Sequence, residues 1–194
     1  MINKIMKKYK VILGSKSPRR IMLLKEMGFQ FKTVVHKFNE ENFLEKNTSK
    51  IAIQLAKKKS DSLKNIIKKN DLLITADTIV EINNKVIHKP KNYADAISNL
   101  ETLSGKTHYV RTGVCLRSND KELVFSDKTK ITFNKLNRED IIFYVKNYNP
   151  YDKAGGYGIQ DWIGLIGIKK IEGDFNNVVG LPTSMLHKKL SLFV

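Results

Sequence analysis

Strand-like and helix-like segments alternate along the chain, and this alternation is the strongest constraint on its fold. A short apolar run with β-branched residues, 9–13, leads into a helical pattern that begins at Pro18 and ends at Gly28. A second helical pattern, over 49–67, is followed by a strand-like run over 72–82. A strand that leads directly into a helix is typical of sheets covered by helices. The sequence therefore predicts an α/β fold, or an α+β fold, around one central sheet.

The later segments extend this pattern. Residues 92–103 have helical spacing, and 108–116 and 122–133 alternate as an antiparallel pair of strands. Two shorter helical patterns follow, over 138–145 and 184–192. No internal repeat and no linker interrupts the series, so we expect residues 1–194 to form a single domain, or two small lobes that share a core.

Composition excludes several classes of protein. The chain has 194 residues, of which 41% are hydrophobic, enough to bury a core without staples. The single cysteine, Cys115, rules out an intramolecular disulfide and a zinc cluster built from cysteines. No run of about 18 apolar residues is present, so we expect no membrane span. The N-terminus does not resemble a signal peptide, and we expect a cytoplasmic protein.

The net charge is unusual. The chain carries 35 Lys and Arg against 19 Asp and Glu, for a net charge of +16. Such a field attracts polyanions, which favours nucleic acid or a phosphorylated small molecule as the ligand. The alternative is a compositional bias in which lysines are scattered over the surface.

The segment GSKSPRR, residues 14–20, is the first candidate site. A strand leads through small polar residues into a helix, and helix N-termini bind phosphate through free N–H groups. Arg19 and Arg20 add forked donors that match phosphate oxygens, and Ser15 adds a hydroxyl. The segment lacks the Walker A pattern. The alternative is an ordinary capped helix with surface arginines.

Two charged residues fall on patterns that are otherwise buried. Asp77 interrupts the apolar run ITADTIV, so it either pairs with a cation, binds a metal or acts as a base, unless the strand ends there and leaves it exposed. Lys59 lies on the apolar stripe of its helix, between Leu55 and Leu63. Its amine either reaches a buried anion or extends out to solvent.

Three further segments carry weaker signals. Glu40 and Glu41 lie in an acidic loop of a kind that can hold Mg²⁺ beside a phosphate site. Lys89 precedes a proline, which fixes an extended backbone. Gln160 lies in the glycine-rich segment DKAGGYGIQDW, and its amide could read the edge of a base.

Taken together, these segments resemble the Maf family (septum formation inhibitor-like proteins), which are nucleoside triphosphate pyrophosphatases. The resemblance extends from about Val11 to Leu190. It is carried, in the family's order, by GSKSPRR with LLKEMGF, LAKKKS, ITADTIV, HKP, LSGKTHYVRTGV, DKAGGYGIQ and IEGDFNNVVGLPTSML. It implies an elongated mixed-sheet α/β fold similar to the inosine triphosphate pyrophosphatases, with a cleft between two lobes.

The resemblance also implies an activity and its residues. A nucleoside triphosphate would be hydrolysed to the monophosphate and pyrophosphate, with Mg²⁺ or Mn²⁺ as cofactor and a homodimer as the assembly. Asp77 matches the proton acceptor, and Glu40, selected over Glu41 by counting back from Leu55, matches a carboxylate that would bind the metal together with Asp77. The positions that match phosphate contacts are Ser15, Arg19, Arg20, Lys59 and Lys89.

Substrate choice follows from the same resemblance. Arg19, Thr78 and Gln160 match the subgroup that acts on dTTP and UTP, whereas the subgroup acting on 7-methyl-GTP typically has a tryptophan in the first motif. The chain departs from the family at Asn149, where many members have a glutamate, so metal binding would depend on other carboxylates, Asp152 among them. Two alternatives stay open: the same chemistry on 7-methyl-GTP or another noncanonical nucleotide, and a basic nucleic-acid-binding regulator of cell division. The chain shows no specific nucleic-acid-binding motif.

Overall fold

The structure is a computed structural model that describes residues 1–35, 38 and 47–194. It has the predicted α/β class. In chain order, the described elements are α1 (Ile2–Lys8), β1 (Lys10–Leu13), α2 (Pro18–Glu26), β2 (Phe31–Thr33), α3 (Thr48–Asp61), β3 (Asp71–Ile82), β4 (Lys85–Ile87), α4 (Tyr93–Leu103), β5 (Thr107–Arg117), β6 (Glu122–Phe133), α5 (Arg138–Tyr148), α6 (Trp162–Gly167), β7 (Ile168–Glu172), α7 (Phe175–Val179) and α8 (Thr183–Leu190). Among these described helices, none has the length and apolar character needed to cross a membrane.

The strands form one mixed sheet. The order is β2-β1-β3-β5-β6-β7, and β4 pairs with β3 outside this path. β1 runs parallel to both β2 and β3, whereas β3 with β4 and β6 with β7 are antiparallel. Asn83 and Asn84, both with positive φ, make the tight turn between β3 and β4 that their sequence predicts. The prediction of a mixed sheet with helices is confirmed.

The chain divides into two compact units. Unit 1 consists of residues 1–77, 112–127 and 180–194, and unit 2 consists of residues 78–111 and 128–179. The division falls inside β3, β5 and β6, so each of these strands supplies residues to both units.

Unit 1 is built on the parallel strands β1 and β3. Val11 is in register with Leu72, and Leu13 with Ile74. The core of this unit consists of apolar side chains from these strands and from α2 and α3. It includes Leu13, Leu24, Ala52, Ala56, Leu73 and Ile74, each 0% exposed. Parallel strands that are buried on both faces read as continuous apolar runs, which explains the pattern of β3.

Unit 2 contains helices α4 and α5, which contact each other, and an aromatic cluster. Leu100 and Leu103 of α4 are fully buried. The rings of His108, Phe133 and Tyr157 meet edge to face, with centroids 5.0 to 5.5 Å apart. Such edge-to-face contacts favour one arrangement of the rings over others.

Several details of the helices differ from the sequence prediction. The helix predicted over 49–67 ends at Asp61, because the Ser62 hydroxyl donates to the carbonyl oxygen of Lys59 at 2.8 Å, and a short 3₁₀ turn, Lys64–Ile66, follows. The helical spacing allows either Ile66 or Ile67 on the inward stripe; Ile66 is 46% exposed and Ile67 is half-buried. The amino-terminal helix α1 was not predicted, since its one buried side chain, Ile5, gives no periodic pattern.

Candidate active site

The turn after β1 places a hydroxyl at the start of α2. Gly14 follows β1, and its N–H donates to the carbonyl oxygen of Ile74 on β3 at 2.8 Å. Only glycine fits there, because a Cβ would lie 2.6 Å from the Thr75 side chain. The Ser15 hydroxyl is buried and accepts a hydrogen bond from the N–H of Ser17 at 3.2 Å. Ser17 occupies the N-cap position of α2.

Arg20 is held beside this turn. Its Nε donates to the carbonyl oxygen of Gly180 at 2.8 Å, and its Nη1 lies 3.4 Å from the Ser15 hydroxyl oxygen. Arg19 is half-buried in the first turn of the same helix. Positive side chains at a helix N-terminus oppose the helix dipole, so two arginines at this place favour an anion as their ligand. The contact between Arg20 and the Ser15 hydroxyl brings these two predicted residues together within unit 1.

Lys59 and Asp77 form a buried ion pair, also within unit 1. Lys59 of α3 is 3% exposed and Asp77 of β3 is 4% exposed. Lys59 Nζ lies 2.5 Å from Asp77 Oδ1. Two alternatives from the sequence are therefore wrong: Asp77 is not an exposed strand end, and Lys59 does not extend to solvent. A buried carboxylate needs such a partner because an unpaired buried charge is very costly.

Two close contacts fix this pair in place. The Thr75 hydroxyl donates to the carbonyl oxygen of Ala56 at 2.7 Å, which ties β3 to α3 two residues before Asp77. Gly113 of β5 packs against the backbone of α3, where a Cβ would lie 2.2 Å from the carbonyl oxygen of Ala52. Helix α3 is thus pressed onto the sheet, which brings Lys59 within reach of Asp77.

The other predicted substrate contacts belong to unit 2. Thr78 follows Asp77 on β3 and is half-buried. Lys89 is exposed and precedes the buried Pro90. Gln160 is exposed in a turn, after a segment in which Gly155 and Gly156 both have positive φ. A Cβ at Gly155 would lie 2.9 Å from Val80, so the loop needs glycine both for its backbone and for its packing.

The predicted metal ligands are only partly described. Glu40 lies outside the described residues, and Asp77 is the buried partner of Lys59. The described ranges contain no group of three or more His, Cys, Asp and Glu side chains arranged to hold a metal ion. Asp152 has a side chain 54% exposed and pairs with Lys153 at 3.1 Å. Asn149 has a left-handed backbone, φ 45°, and ends α5.

The sequence did not indicate the residues that hold the loop carrying Gln160 in unit 2. His108 Nε2 lies 2.7 Å from the Tyr157 hydroxyl oxygen, and burial lowers the pKa of His108 to about 4. The Tyr144 hydroxyl contacts both Gly158 and Asp161. Tyr144 lies on the apolar stripe of α5, where an aromatic residue is typical of the core. Only its hydroxyl group could have indicated a further role.

The chain matches a protein family, curated relatives and a solved structure. A family model described as "Maf-like protein" matches residues 10–193. Relatives named dTTP/UTP pyrophosphatase include the following three. That of Flavobacterium johnsoniae is 40% identical over 194 residues, covering 100% of both chains. That of Christiangramia forsetii is 42% identical and covers 98% of this chain and 97% of its own.

The third relative, from Thermosipho africanus, is 45% identical over 175 residues and covers 90% of this chain and 88% of its own. Among solved structures, "The structure of the Staphylococcus aureus Ham1 protein" matches 64% of this chain and 71% of that chain. Its TM-score is 0.40, at 12% sequence identity.

Proposed function

This chain belongs to the family of Maf-like proteins, and we propose that it hydrolyses dTTP and UTP to the corresponding monophosphate and pyrophosphate. Relatives named for this activity match it over nearly their whole length, which supports the proposal. The structural observation that carries it is the buried pair of Lys59 and Asp77. Asp77 follows three residues after Ile74, the last residue of β3 in register with β1. The pair thus lies toward the end of β1 where the Ser15 turn begins.

Asp77 is the proposed general base. Its carboxylate would accept a proton from a water molecule whose oxygen attacks the α-phosphorus. The bond from the α-phosphorus to the bridging oxygen breaks, and pyrophosphate leaves with the electron pair of that bond. A positioned base of this kind contributes a large factor to the rate, and no covalent intermediate is required.

Cations would bind the triphosphate and stabilise its developing charge. Reactions at phosphoanhydrides depend mainly on positioning and charge neutralisation. Arg20 is anchored to the Gly180 carbonyl oxygen and to Ser15, so its guanidinium is preorganised before substrate arrives. The proposed phosphate contacts are Ser15, Arg19, Arg20, Lys59 and Lys89.

A divalent metal, Mg²⁺ or Mn²⁺, fits the chemistry of the proposed donors. The Asp77 carboxylate is a hard oxygen ligand, and Mg²⁺ is commonly held by one or two carboxylates together with substrate phosphates. The second proposed ligand is Glu40. When bound, the metal would supply positive charge against the phosphate oxygens.

Recognition of the base is proposed for Arg19, Thr78 and Gln160. Uracil and thymine share the same donor and acceptor groups on their pairing edge, and a glutamine amide offers both a donor and an acceptor to such an edge. We propose a homodimer as the assembly.

The proposal is tested by measuring pyrophosphate release from a panel of nucleoside triphosphates, including 7-methyl-GTP, with Mg²⁺. We expect dTTP and UTP to be turned over fastest. Asp77→Asn should lower kcat for dTTP by roughly 100- to 10,000-fold, because the base is lost. Equilibrium dialysis with labelled dTTP should show that this variant still binds nucleotide.

Asp120→Asn, the same substitution in an exposed turn of unit 1, is the matched control and should leave kcat unchanged. Absence of turnover for every nucleotide would overturn the proposed activity. Faster turnover of 7-methyl-GTP would overturn the proposed substrate, and an active Asp77→Asn enzyme would remove Asp77 from the role of base.

A further inference from the structure

We propose that Tyr144 is a positioning residue for recognition of the substrate base, because its buried hydroxyl joins the two ends of the turn that carries Gln160. The proposal rests on the proposed function, in which Gln160 contacts the base. It concerns unit 2 alone. Tyr144 itself need not touch the substrate, since it would act through the turn.

The turn is a tight one. It consists of Gly158–Asp161, and the Asp161 N–H donates to the carbonyl oxygen of Gly158 at 3.1 Å. Gln160 is the third of its four residues and is exposed. The backbone of a turn sets the direction of the Cα–Cβ bond at its tip, so whatever fixes the two ends also fixes where the Gln160 side chain starts.

The Tyr144 hydroxyl bonds to both ends. It accepts a hydrogen bond from the N–H of Gly158 at 3.0 Å, and it donates to the Asp161 carboxylate oxygen Oδ2 at 2.6 Å. A tyrosine hydroxyl has one proton to donate and lone pairs to accept, so both contacts can be made at once. The phenylalanine ring has the same shape and could make neither contact.

The environment keeps this hydroxyl protonated. Tyr144 lies on α5 and is 0% exposed. Burial raises the pKa of Tyr144, and the hydrogen bond to the Asp161 carboxylate raises it further. The donor to Asp161 is therefore present throughout the neutral pH range.

Packing around the turn leaves little room for another arrangement. A Cβ at Gly158 would lie 2.5 Å from Asp161 Oδ2, so only glycine lets this carboxylate fold back over the turn. A Cβ at Gly164 of α6 would lie 2.1 Å from the carbonyl oxygen of Ile159. Lys153 Nζ lies 3.5 Å from Asp161 Oδ2 and gives the carboxylate a second partner. The Tyr144 contacts thus belong to a closely packed assembly around the turn.

Fixed direction matters for a glutamine that reads a base. The amide can turn over and exchange its donor with its acceptor, so a loosely held glutamine does not distinguish thymine or uracil from cytosine. Binding groups contribute to discrimination when their geometry is set before the ligand arrives. Tyr144 contributes to that geometry from inside the core by holding the backbone from which the Gln160 side chain extends.

The kinetic test compares Tyr144→Phe with the wild-type enzyme on dTTP and dCTP. We expect the ratio of kcat/KM for dTTP over dCTP to fall by roughly tenfold, mostly through a higher KM for dTTP, because a misplaced contact weakens binding and orientation. Tyr148→Phe is the matched control: the same substitution on the same helix, on a ring that stacks on Tyr144 but is 38% exposed. It should leave the ratio unchanged.

A double variant separates positioning from general damage to the fold. In the Gln160→Ala background, adding Tyr144→Phe should change the ratio by less than about twofold, because residues that act through one another are not additive. An equal loss of activity on both nucleotides in Tyr144→Phe would overturn the proposal. So would a full effect that persists in the Gln160→Ala background.

A measurement without substrate tests the contacts themselves. Hydrogen exchange of the amides in 158–161 should be faster in Tyr144→Phe, since the Gly158 N–H loses its acceptor, and unchanged in Tyr148→Phe. Unchanged exchange would overturn the proposal even if the enzyme acted on no nucleotide. If Tyr144→Phe does not fold, Asp161→Ala removes the other partner of the hydroxyl and is expected to have the same effects on exchange and ratio.

Discussion

The two units hold their candidate residues by different means. Unit 1 contains 22 Lys and Arg against 10 Asp and Glu, whereas unit 2 contains 13 against 9. In unit 1 the central contact is an ion pair, Lys59 with Asp77. In unit 2 the loop that carries Gln160 is held mainly by tyrosine hydroxyls, an imidazole and backbone groups, together with the Asp161 carboxylate, which lies 3.5 Å from Lys153 Nζ. The strands of unit 2 also carry one ion pair with a buried carboxylate, in which Glu81 lies 2.8 Å from Arg111.

Charged and neutral contacts suit different parts of a ligand. A triphosphate is an anion, and its reaction depends on opposite charge at fixed positions. A base is neutral and is distinguished by the directions of its hydrogen bonds. Unit 1 carries most of the chain's net charge of +16, with +12 there and +4 in unit 2.

The largest effect is expected when the cation of the Lys59–Asp77 pair is removed, which tests whether unit 1 depends on this ion pair. Lys59→Met should lower the free energy of unfolding by about 3–5 kcal/mol at pH 7, because Asp77 is left as an uncompensated buried charge. Urea denaturation followed by circular dichroism measures this. Lys58→Met, on an exposed position of the same helix, is the matched control and should change little.

Adding Asp77→Asn to Lys59→Met tests whether the unpaired charge causes the loss of stability. If charge imbalance is the cause, the second substitution should restore part of the lost stability, since no unpaired charge remains. A loss in Lys59→Met no larger than that of Lys58→Met would show that the pair is not buried as described.

The charged residues of unit 1 could be predicted from sequence for a physical reason. An aspartate inside an apolar strand and a lysine on an apolar helical stripe each conflict with burial, and the conflict itself indicates a partner. Tyr144 and His108 create no such conflict, because aromatic and imidazole rings are common in cores. Their hydrogen bonds depend on residues more than a dozen positions away, and no local pattern encodes those distances.

The elements were predictable to a similar degree. Strands β1 and β3 and helix α4 lie where apolar periodicity places them. The end of α3 could not be found in that way, because Leu63 is buried beyond the helix end and continues the spacing. A side-chain hydroxyl, that of Ser62, competes there with the helical pattern.

Unit 2 should respond to pH through its neutral histidine. Burial lowers the pKa of His108 to about 4, below the ordinary value of 6.5 that applies when the chain is unfolded. Above pH 6.5 neither state binds the proton, and the contribution of neutral His108 to stability is complete. As pH falls toward 4, the unfolded chain is protonated first, so stability is lost across that interval.

The expected loss between pH 8 and pH 5 is about 2 kcal/mol. His108→Gln keeps a polar group for Tyr157 but does not titrate, and its unfolding free energy should depend less on pH by that amount. His88→Gln, at an exposed position, is the control and should retain the wild-type dependence. Equal pH dependence in wild type and His108→Gln would contradict a buried neutral imidazole.

The smallest expected effect comes from a variant that keeps the charge of Arg20 but changes the shape of its side chain. Arg20→Lys keeps the positive charge, but a lysine ammonium cannot reproduce the guanidinium fork that reaches both the Gly180 carbonyl oxygen and Ser15. We expect kcat/KM for dTTP to fall about tenfold, since preorganisation of one proposed phosphate contact is lost. Arg138→Lys in unit 2, where an exposed guanidinium pairs with Glu101 at 3.0 Å, should leave kcat/KM unchanged. Equal kinetics for both variants would mean that unit 1 uses only the charge of Arg20, and that its directed contacts do not matter to the reaction.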